Sequence, residues 1–517
     1  MDFFNYGLDR LTTSKAIEIA SGRIKGILSA EAIKQVVKST AYVEEITAKE
    51  TTVYGINTGF GPLCNVKISA EDTKELQYNI LKSHSVGVGE PIAPEIAKLM
   101  MIQKVHSLAK GYSGIQLSTL ERIIWHIDND VIPVVPEKGS VGASGDLAPL
   151  AHLFLPLIGL GEVFYKGKKA HSSEVFLKEG IKAIELGPKE GLALINGTQF
   201  IAAHAVQVVD RLHNCLEHAD LIGAMMLEAL AGSVKPFQKD LHEIRAFAGN
   251  QWVANRIWSM LQGSEILNSH IDCDRVQDPY SLRCMPQVHG TSRNAWLHVK
   301  ELVETELNAV TDNPIILSSE ETISGGNFHG QPLALPLDYA ALAAAELGNI
   351  SDRRIYLALD GKVEGLPTLL MKDTGINSGF MLPQYTSAAL VSENKSLCFP
   401  ASADSVPTSM GQEDHVSMGS ISGRKALQII GNLEQILAIE LLCAAQAFDF
   451  RRPLKSSESL EKCHEHVRGI IDHAHEDRIF AKDIAKAFEI IESRKLTSIL
   501  NETVSFNSEL SATFNAY

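Results

Sequence analysis

Hydrophobic positions recur at three- and four-residue spacing through most of the chain after residue 190. The stretch 197–230 has this spacing and no proline, so it predicts one long helix or a kinked pair. The stretch 432–450 carries three charged residues and is otherwise apolar nearly all round, which is typical of the central helix of a bundle. Stretches 294–310 and 338–347 repeat the pattern. Four or more long helices are therefore predicted to pack side by side.

Strand patterns are few and short. The apolar run 162–165, followed by the basic turn 166–169, predicts a small hairpin. We predict a mainly α-helical protein whose parts form one continuous unit: a loop-rich N-terminal portion (1–190), a long central helical bundle (191–453) and a C-terminal helical cap (454–517).

Composition excludes several classes of protein. With 517 residues, 45% of them hydrophobic and 21% charged, the chain can bury a large core and is not a disordered sequence. The 47 basic and 62 acidic residues give a net charge of −15 without a long basic block, so nucleic acid is an unsuitable partner.

Targeting signals and cysteines bear on localisation. The longest uncharged apolar run, 147–161, is interrupted by prolines and glycines and is shorter than the roughly 18 residues that span a bilayer. We therefore expect no membrane segment, and the N-terminus lacks the pattern of a secretory signal. The seven cysteines are scattered and odd in number, which predicts reduced thiols and a cytoplasmic protein.

The most unusual segment is 139–150, GSVGASGDLAPL, whose first seven residues have almost no side-chain bulk. One interpretation is a tight turn leading into a helix capped by Asp146. A phosphate-binding loop is a second interpretation, but no Lys-Ser/Thr pair follows the glycines and two prolines precede them. Neither a P-loop nor a dinucleotide fingerprint fits.

Ala143-Ser144-Gly145, within GASGDLAPLAH, resembles the self-cyclising tripeptide of the aromatic amino acid ammonia-lyases. The resemblance implies that the Gly145 nitrogen attacks the Ala143 carbonyl and that two waters are lost. The product is 4-methylideneimidazol-5-one (MIO), an electrophile built from backbone, for which Ser144 gives up its hydroxyl. The resemblance also implies a fumarase/aspartase-like architecture and a homotetramer with sites built from several subunits.

Further blocks carry the same resemblance from near residue 54 to beyond residue 453: YGINTGFG, LQYNILKSHSVG, LALINGTQ, QDPYSLRC and GGNFHG. Taken singly, a tyrosine, histidine or arginine in such blocks is more often structural. Within the family, Arg283 would hold the substrate carboxylate as a forked pair. The resemblance implies Tyr54, as base, and Tyr280 as catalytic residues, and His84, Asn196, Arg283 and Phe328 as substrate-binding residues.

Members of this family act on histidine, phenylalanine or tyrosine. Ser83-His84 and the block QEDH, 412–415, resemble the histidine-specific members. The Glu413 carboxylate would pair with an imidazole N–H, whereas a phenyl ring would leave it buried and unpaired. We therefore predict non-oxidative deamination of L-histidine to trans-urocanate and ammonia, the first step of histidine degradation. Tyrosine ammonia-lyase and an MIO-dependent aminomutase are the alternatives. Differences from the family pattern at Met285, His289 and 330–331 bear on fine specificity.

Two hypotheses from other classes compete with this one. The cluster 463–466, CHEH, together with His473 and His475, contains metal-ligand residue types. However, His464 and His466 are two residues apart among charged neighbours, which indicates a solvated helix face, and we predict no metal. A catalytically silent scaffold is the second hypothesis, and the intact tripeptide argues against it.

Finally, we expect one chain to leave the apolar helix 432–450 partly uncovered, as a homotetramer would require.

Overall fold

The computed structural model describes residues 2–48, 53, 55–56, 58, 70–271, 275–506 and 509–514. Within these ranges helices predominate and the strands are short, so the prediction of a mainly α-helical fold is confirmed. The chain divides into two compact units. The first comprises Met1–Gln207, Lys300–Asp338 and Pro400–Arg424, and the second comprises Val208–Val299, Tyr339–Phe399 and Lys425–Tyr517. The sequence-based boundaries at residues 190 and 453 divide the chain differently and stay a prediction.

The first unit contains short helices and the described strands. Its helices are Thr13–Ala20, Ala30–Ala48, Ala70–His84, Pro94–Leu108, Leu117–Asp128, Leu147–Phe154, Ser172–Glu179 and Glu190–Ile195. Its strands are Asp2–Asn5, Ile24–Ile27, Val88–Pro91, Ile132–Pro133, Pro136–Lys138, Glu162–Tyr165, Lys168–His171, Ile315–Ile316 and Thr322–Ile323.

The strands form small separate sheets. Asp2–Asn5 pairs in parallel with Ile24–Ile27, whereas the other pairs are antiparallel. The predicted hairpin is present, because Glu162 pairs with His171 and Tyr165 with Lys168. No extended sheet is found in the described part of the chain, so helix packing carries the fold.

Four long helices contain residues of both units: Gln199–Ala229, Met285–Glu306, Gln331–Leu359 and Gly419–Asp449. The remaining helices belong to the second unit. They are Lys239–Glu243, Ala248–Met260, Glu265–Asn268, Tyr280–Arg283, Met381–Leu397, Glu458–Arg468, Phe480–Glu492, Lys495–Thr503 and Ser511–Phe514.

The second unit has the predicted bundle, and hydrogen bonds join its long helices side by side. The Trp296 indole N–H donates to the Val209 carbonyl over 2.9 Å, and the Ser292 hydroxyl donates to the Ala343 carbonyl over 2.9 Å. Arg354 donates to the Glu440 carboxylate, with one bond of 3.0 Å. The last pair lies fully buried and fixes the register of two helices where apolar packing alone would permit sliding.

A buried ionic cluster lies within the same bundle. Arg256, Arg293 and His289 surround the Asp220 carboxylate, and all four side chains are inaccessible to solvent. Burial alone would raise the pKa of Asp220, but Arg293, His289 and Arg256 together lower it. The buried charges are tolerated because each one is paired with an opposite charge. Removal of one member of the cluster would leave a buried charge without a partner.

The apolar helix predicted over 432–450 is present as part of Gly419–Asp449. This helix is long and apolar enough to cross a membrane, but 72% of its most apolar stretch is buried inside the molecule, which is typical of a core helix. Leu433, Ile436 and Leu441 are 0% exposed. The expectation that one chain leaves the helix partly uncovered is therefore wrong, because the chain's own elements cover it.

Candidate active site

The segment Gly139 to Asp146 folds as a tight left-handed loop in the first unit. Gly142 and Gly145 have φ values of +78° and +81°. Ser144 lies between them with φ of +49°, a conformation that residues with a side chain rarely adopt. Ala143 is 9% exposed and packs against Val416 and Met418. The loop therefore turns back on itself at the tripeptide while its alanine is anchored in apolar surroundings.

Gly145 lies directly against the backbone of Gly197. A Cβ atom built on Gly145 would approach the Gly197 carbonyl oxygen to 2.1 Å, so no residue with a side chain fits here. The Gly197 N–H donates to the Ser144 carbonyl over 3.3 Å, and the Asp146 N–H donates to the Gly197 carbonyl over 2.8 Å. These two bonds hold the peptide groups on either side of Gly145, at the C-terminal end of the tripeptide.

Asp146 caps a different helix from the one expected. Its side chain caps no N–H of the helix Leu147–Phe154 that follows it. Instead, its Oδ2 accepts from the Phe200 and Ile201 N–H groups over 3.1 and 3.0 Å, at the start of Gln199–Ala229. Burial raises the pKa of Asp146 to about 7, although these hydrogen bonds and one from Ser140 oppose the shift. The interpretation of Asp146 as the cap of its own helix is wrong, because the loop turns the carboxylate towards the other helix.

A buried lysine supports the opposite side of Gly197. Lys104 lies in the all-buried stretch of Pro94–Leu108 and donates from Nζ to the Asn196 carbonyl. Burial lowers the pKa of Lys104 to about 7, against the attraction of the Asp312 and Asp146 carboxylates. Since the Asn196 carbonyl and the Gly197 N–H belong to one peptide group, Lys104 polarises the group that donates to Ser144.

Asn196 is 3% exposed and is held by the segment that contains Asp312 and Asn313. Its Nδ2 donates to the Asn313 carbonyl over 2.7 Å. Lys189 pairs with Asp312 at 2.6 Å, and both side chains are buried. The amide of Asn196 is therefore fixed by neighbouring residues.

Glu413 contacts the serine of the tripeptide. The Ser144 hydroxyl donates to Glu413 Oε1 over 3.0 Å, across 269 positions of the chain. Oε2 of the same carboxylate accepts from the Thr408 and Ser409 hydroxyls over 3.0 and 2.8 Å. Three hydroxyl groups thus orient one carboxylate against the reactive segment.

His84 and Glu413 line one cavity of about 270 Å³ together with Ala143. His84 ends the helix Ala70–His84, and its Nδ1 lies 3.0 Å from the Ser83 hydroxyl. Burial lowers the pKa of His84, while a hydrogen bond with the Ile80 backbone and the charge of Glu413 oppose this. The structure therefore brings together the tripeptide, His84 and Glu413 beside a cavity whose volume would accommodate a small molecule.

The other predicted residues have different positions. Phe328 is partly buried in the turn before Gln331–Leu359. Tyr54 lies outside the described residues. Tyr280 and Arg283 belong to the second unit, where Tyr280 is 71% exposed. Arg283 stacks over the Tyr280 ring at 4.5 Å and donates to the Asp278 carbonyl and to Gln277 Oε1 over 2.9 Å each.

The competing cluster near residue 464 has a structural role in the second unit. Cys463 and His464 are buried, so the predicted solvated face for His464 is wrong. His464 and His473 both contact the Asp449 carboxylate, at 2.8 and 2.7 Å, and Arg468 joins them. Across the described residues, no group of three or more His, Cys, Asp or Glu side chains has an arrangement for holding a metal ion.

Sequence patterns missed several residues of this site, namely Lys104, Asp146 as a cap of a distant helix, Thr408 and Ser409. The structure buries every residue from 96 to 108, so a lysine there needs a partner. The sequence did not indicate this burial, because the same stretch contains Glu95, Lys98 and His106. No local sequence pattern indicated Thr408 or Ser409. Their hydroxyls donate to the Glu413 carboxylate, whose position depends on the fold.

Comparison with known proteins identifies the family of this chain. The family model for aromatic amino acid lyases matches residues 11–469, and the chain belongs to this family. A histidine ammonia-lyase of Natranaerobius thermophilus is 47% identical over 92% of this chain and 94% of its own. The crystal structure of histidine ammonia-lyase from Trypanosoma cruzi superposes with a TM-score of 0.91 at 39% identity, over 99% of this chain and 97% of that one. Tyrosine aminomutase from Streptomyces globisporus also gives 0.91, at 33% identity over 96% and 98% of the two chains.

Proposed function

We propose that this protein is a histidine ammonia-lyase that converts L-histidine to trans-urocanate and ammonia. The observation that carries the proposal is the shared cavity in which Glu413 contacts Ser144 and His84 lies beside them. An acidic group and an imidazole ring offer a hydrogen-bond acceptor and a second partner to a substrate imidazole. The relatives named histidine ammonia-lyase give this proposal its second support.

We further propose that Ala143-Ser144-Gly145 forms MIO, and the residues present fit this group. The side chain missing at Gly145 leaves its nitrogen unobstructed, and the 2.1 Å approach to Gly197 would exclude any larger residue. The left-handed backbone at Ser144 and Gly145 already turns the segment back on itself. When formed, the ring supplies an electrophile for the substrate amine or, in the competing account, for the imidazole.

The chain's own residues bind and orient the substrate in this proposal. Glu413 and His84 hold the imidazole, the buried Asn196 amide supplies a fixed polar group, and Phe328 is assigned to substrate binding by the family resemblance. The Gly197 N–H holds the Ser144 carbonyl and, through Lys104, donates more strongly than an ordinary peptide. A positioned base must remove a scarcely acidic β-proton, and Tyr54 is assigned this role.

Tyr280 and Arg283 complete the proposed set. Arg283 is oriented by the Asp278 carbonyl and the Gln277 side chain, and its planar group suits a substrate carboxylate. Tyr280 is 71% exposed, so its side chain is accessible for contact with a substrate or a second subunit. We propose a homotetramer in which sites combine residues from several subunits. A cytoplasmic location is also proposed, and the five free cysteines among the described residues fit a reducing compartment.

Tyrosine ammonia-lyase and tyrosine aminomutase are the alternative functions, since a tyrosine aminomutase superposes equally well. A tyrosine enzyme would differ from a histidine enzyme in the side chains that contact the ring of the substrate. His84→Leu removes one polar partner of an imidazole and typically costs about 1–3 kcal/mol, or roughly ten- to a hundredfold, for histidine. Tyrosine and phenylalanine lack that interaction and should lose less.

The test measures urocanate formation by the purified protein against tyrosine and phenylalanine turnover, before and after His84→Leu. The ratio of activities is informative because every substrate uses the same fraction of matured protein. Ser144→Ala, which removes the hydroxyl required for MIO, serves as the inactive control. A wild-type preference for tyrosine, or a ratio unmoved by His84→Leu, would replace this proposal with a tyrosine enzyme.

A further inference from the structure

Glu413 touches the atom that must leave when the tripeptide matures. In the uncyclised chain the Ser144 Oγ lies 3.0 Å from Glu413 Oε1. Oγ is the oxygen that departs when Ser144 is dehydrated, and its nearest carboxylate comes from a segment 269 positions away in the chain. The contact therefore exists before any substrate binds.

Dehydration of serine is difficult without help at this oxygen. The Cα–H bond must break, its electron pair must form the Cα=Cβ double bond, and the Cβ–Oγ bond must break with the electrons going to oxygen. Hydroxide leaves poorly, whereas water leaves readily, so a proton donor at Oγ lowers the barrier. A carboxyl group within hydrogen-bond distance is a suitable donor.

We propose that Glu413 delivers a proton from solvent to Ser144 Oγ during MIO formation, an inference that rests on the proposed function. In the resting protein its carboxylate accepts from the Ser144 hydroxyl; during the step it takes up a solvent proton and passes it to Oγ, which departs as water while the Cα proton passes to solvent. Glu413 ends as the carboxylate that it was at the start, so one water is lost and atoms and charges balance. No oxidant, reductant or additional reactant is needed.

The loop that carries Glu413 is built to hold the carboxyl at this position. Thr408 and Ser409 donate their hydroxyls to Oε2, which leaves Oε1 towards Ser144. The Thr408 N–H also donates to the Glu413 carbonyl over 2.9 Å, which closes the loop on itself. Ser409 and Met410 take left-handed φ values of +49° and +56°, a strained turn that aims the segment.

The same carboxyl then becomes available for a second role. Once Oγ has left as water, Oε1 has lost its hydrogen-bond donor and borders the cavity that also contains His84. A buried carboxylate oxygen without a donor favours a new one, and a substrate imidazole N–H supplies it. Loss of the Ser144 hydroxyl during maturation thus makes Glu413 Oε1 available to accept a hydrogen bond from the proposed substrate.

The experiment follows water loss directly by mass spectrometry and requires no activity measurement. Wild type, Glu413→Gln, Glu413→Asp and Asp414→Asn are each expressed in a short pulse and sampled over time. The tryptic peptide 139–166 contains the whole tripeptide, so its mass reports how many waters have left. Asp414→Asn is the matched control, because it removes the adjacent, exposed carboxylate.

Wild type and Asp414→Asn should lose two waters with the same time course. Glu413→Gln keeps the size of the side chain but lacks the acidic proton, so its complete maturation should slow by roughly a hundredfold. Glu413→Asp should mature faster than Glu413→Gln, since it retains a carboxyl. Circular dichroism checks that each variant is folded. Wild-type maturation in folded Glu413→Gln overturns this inference, whereas a wild type that keeps both waters overturns the MIO proposal itself.

Discussion

At the scale of single residues, the proposed site uses groups that are fixed before a substrate arrives. Arg283 illustrates this, because its Nε and Nη2 atoms already donate to the Asp278 carbonyl and to Gln277. The guanidinium also stacks on the Tyr280 ring, so hydrogen bonds and stacking together fix the orientation of its plane. A cation held in this way presents a forked pair of donors at low entropic cost.

Arg283→Lys keeps the charge but loses the planar fork and the stacking. We expect kcat/KM for histidine to fall about ten- to a hundredfold, because one charged hydrogen bond of the pair is lost. Steady-state kinetics with histidine measure this, and the peptide mass should stay that of the matured protein. Unchanged kinetic constants would mean that the substrate carboxylate binds elsewhere.

A residue-level prediction could be made from the sequence where the chemistry lies in adjacent positions. The tripeptide could be identified because Ala143, Ser144 and Gly145 are consecutive. The contact between Ser144 and Glu413 could not be derived from local pattern, since it joins segments 269 positions apart. His464 shows the opposite error, because charged neighbours in sequence indicated solvent while the fold buries the ring against Asp449.

At the scale of elements, apolar spacing predicted the helices well and their ends less well. The long helices appear where the three- and four-residue spacing lies, and Gln199–Ala229 matches the prediction over 197–230 within two residues. Gln331–Leu359 extends beyond its predicted core and contains Pro336, which sits within the helix. Because proline usually ends or kinks a helix, propensity alone would place the start of this helix after Pro336.

Asp146 is the element-scale feature with a measurable pH signature. Its carboxyl joins the loop 139–146 to the start of Gln199–Ala229. Burial raises its pKa from 3.8 to about 7, so between these values the folded protein binds a proton that the unfolded chain has released. The resulting stabilisation is complete below pH 3.8 and is lost as the pH rises through about 7.

Asp146→Asn keeps an acceptor for the helix but does not titrate. The free energy of unfolding of wild type, relative to Asp146→Asn, should therefore decrease as the pH rises from 4 to 7 and become constant above that. Urea titrations of both proteins across this range provide the measurement. Asp414→Asn, an exposed change of the same kind, should show a difference from wild type that does not vary with pH. A constant difference for Asp146→Asn would contradict the burial of an uncharged carboxyl.

At the scale of the whole molecule, family membership and the mainly helical fold followed from the sequence, but the interfaces did not. The apolar helix over 432–450 was expected to need neighbouring chains, yet it is buried within one chain. Exposed apolar side chains lie elsewhere. Tyr339, Leu342 and Tyr356 are 44%, 53% and 53% exposed, and their spacing puts them on one face of Gln331–Leu359. Such a face is the better candidate for subunit contact.

Leu342→Glu tests whether this face holds the proposed homotetramer together. A charge at the centre of an apolar interface would be desolvated without a partner, so subunits should dissociate at concentrations where wild type stays assembled. Sedimentation velocity gives the oligomeric state, and histidine turnover at the same concentrations should fall with it if sites combine residues of several subunits. Leu177→Glu is the control, because Leu177 is 84% exposed on the separate helix Ser172–Glu179 and the same change there should leave assembly and turnover intact. A Leu342→Glu protein that assembles like wild type would exclude this face as the interface, and a dissociated protein with full turnover would show that each subunit carries a complete site.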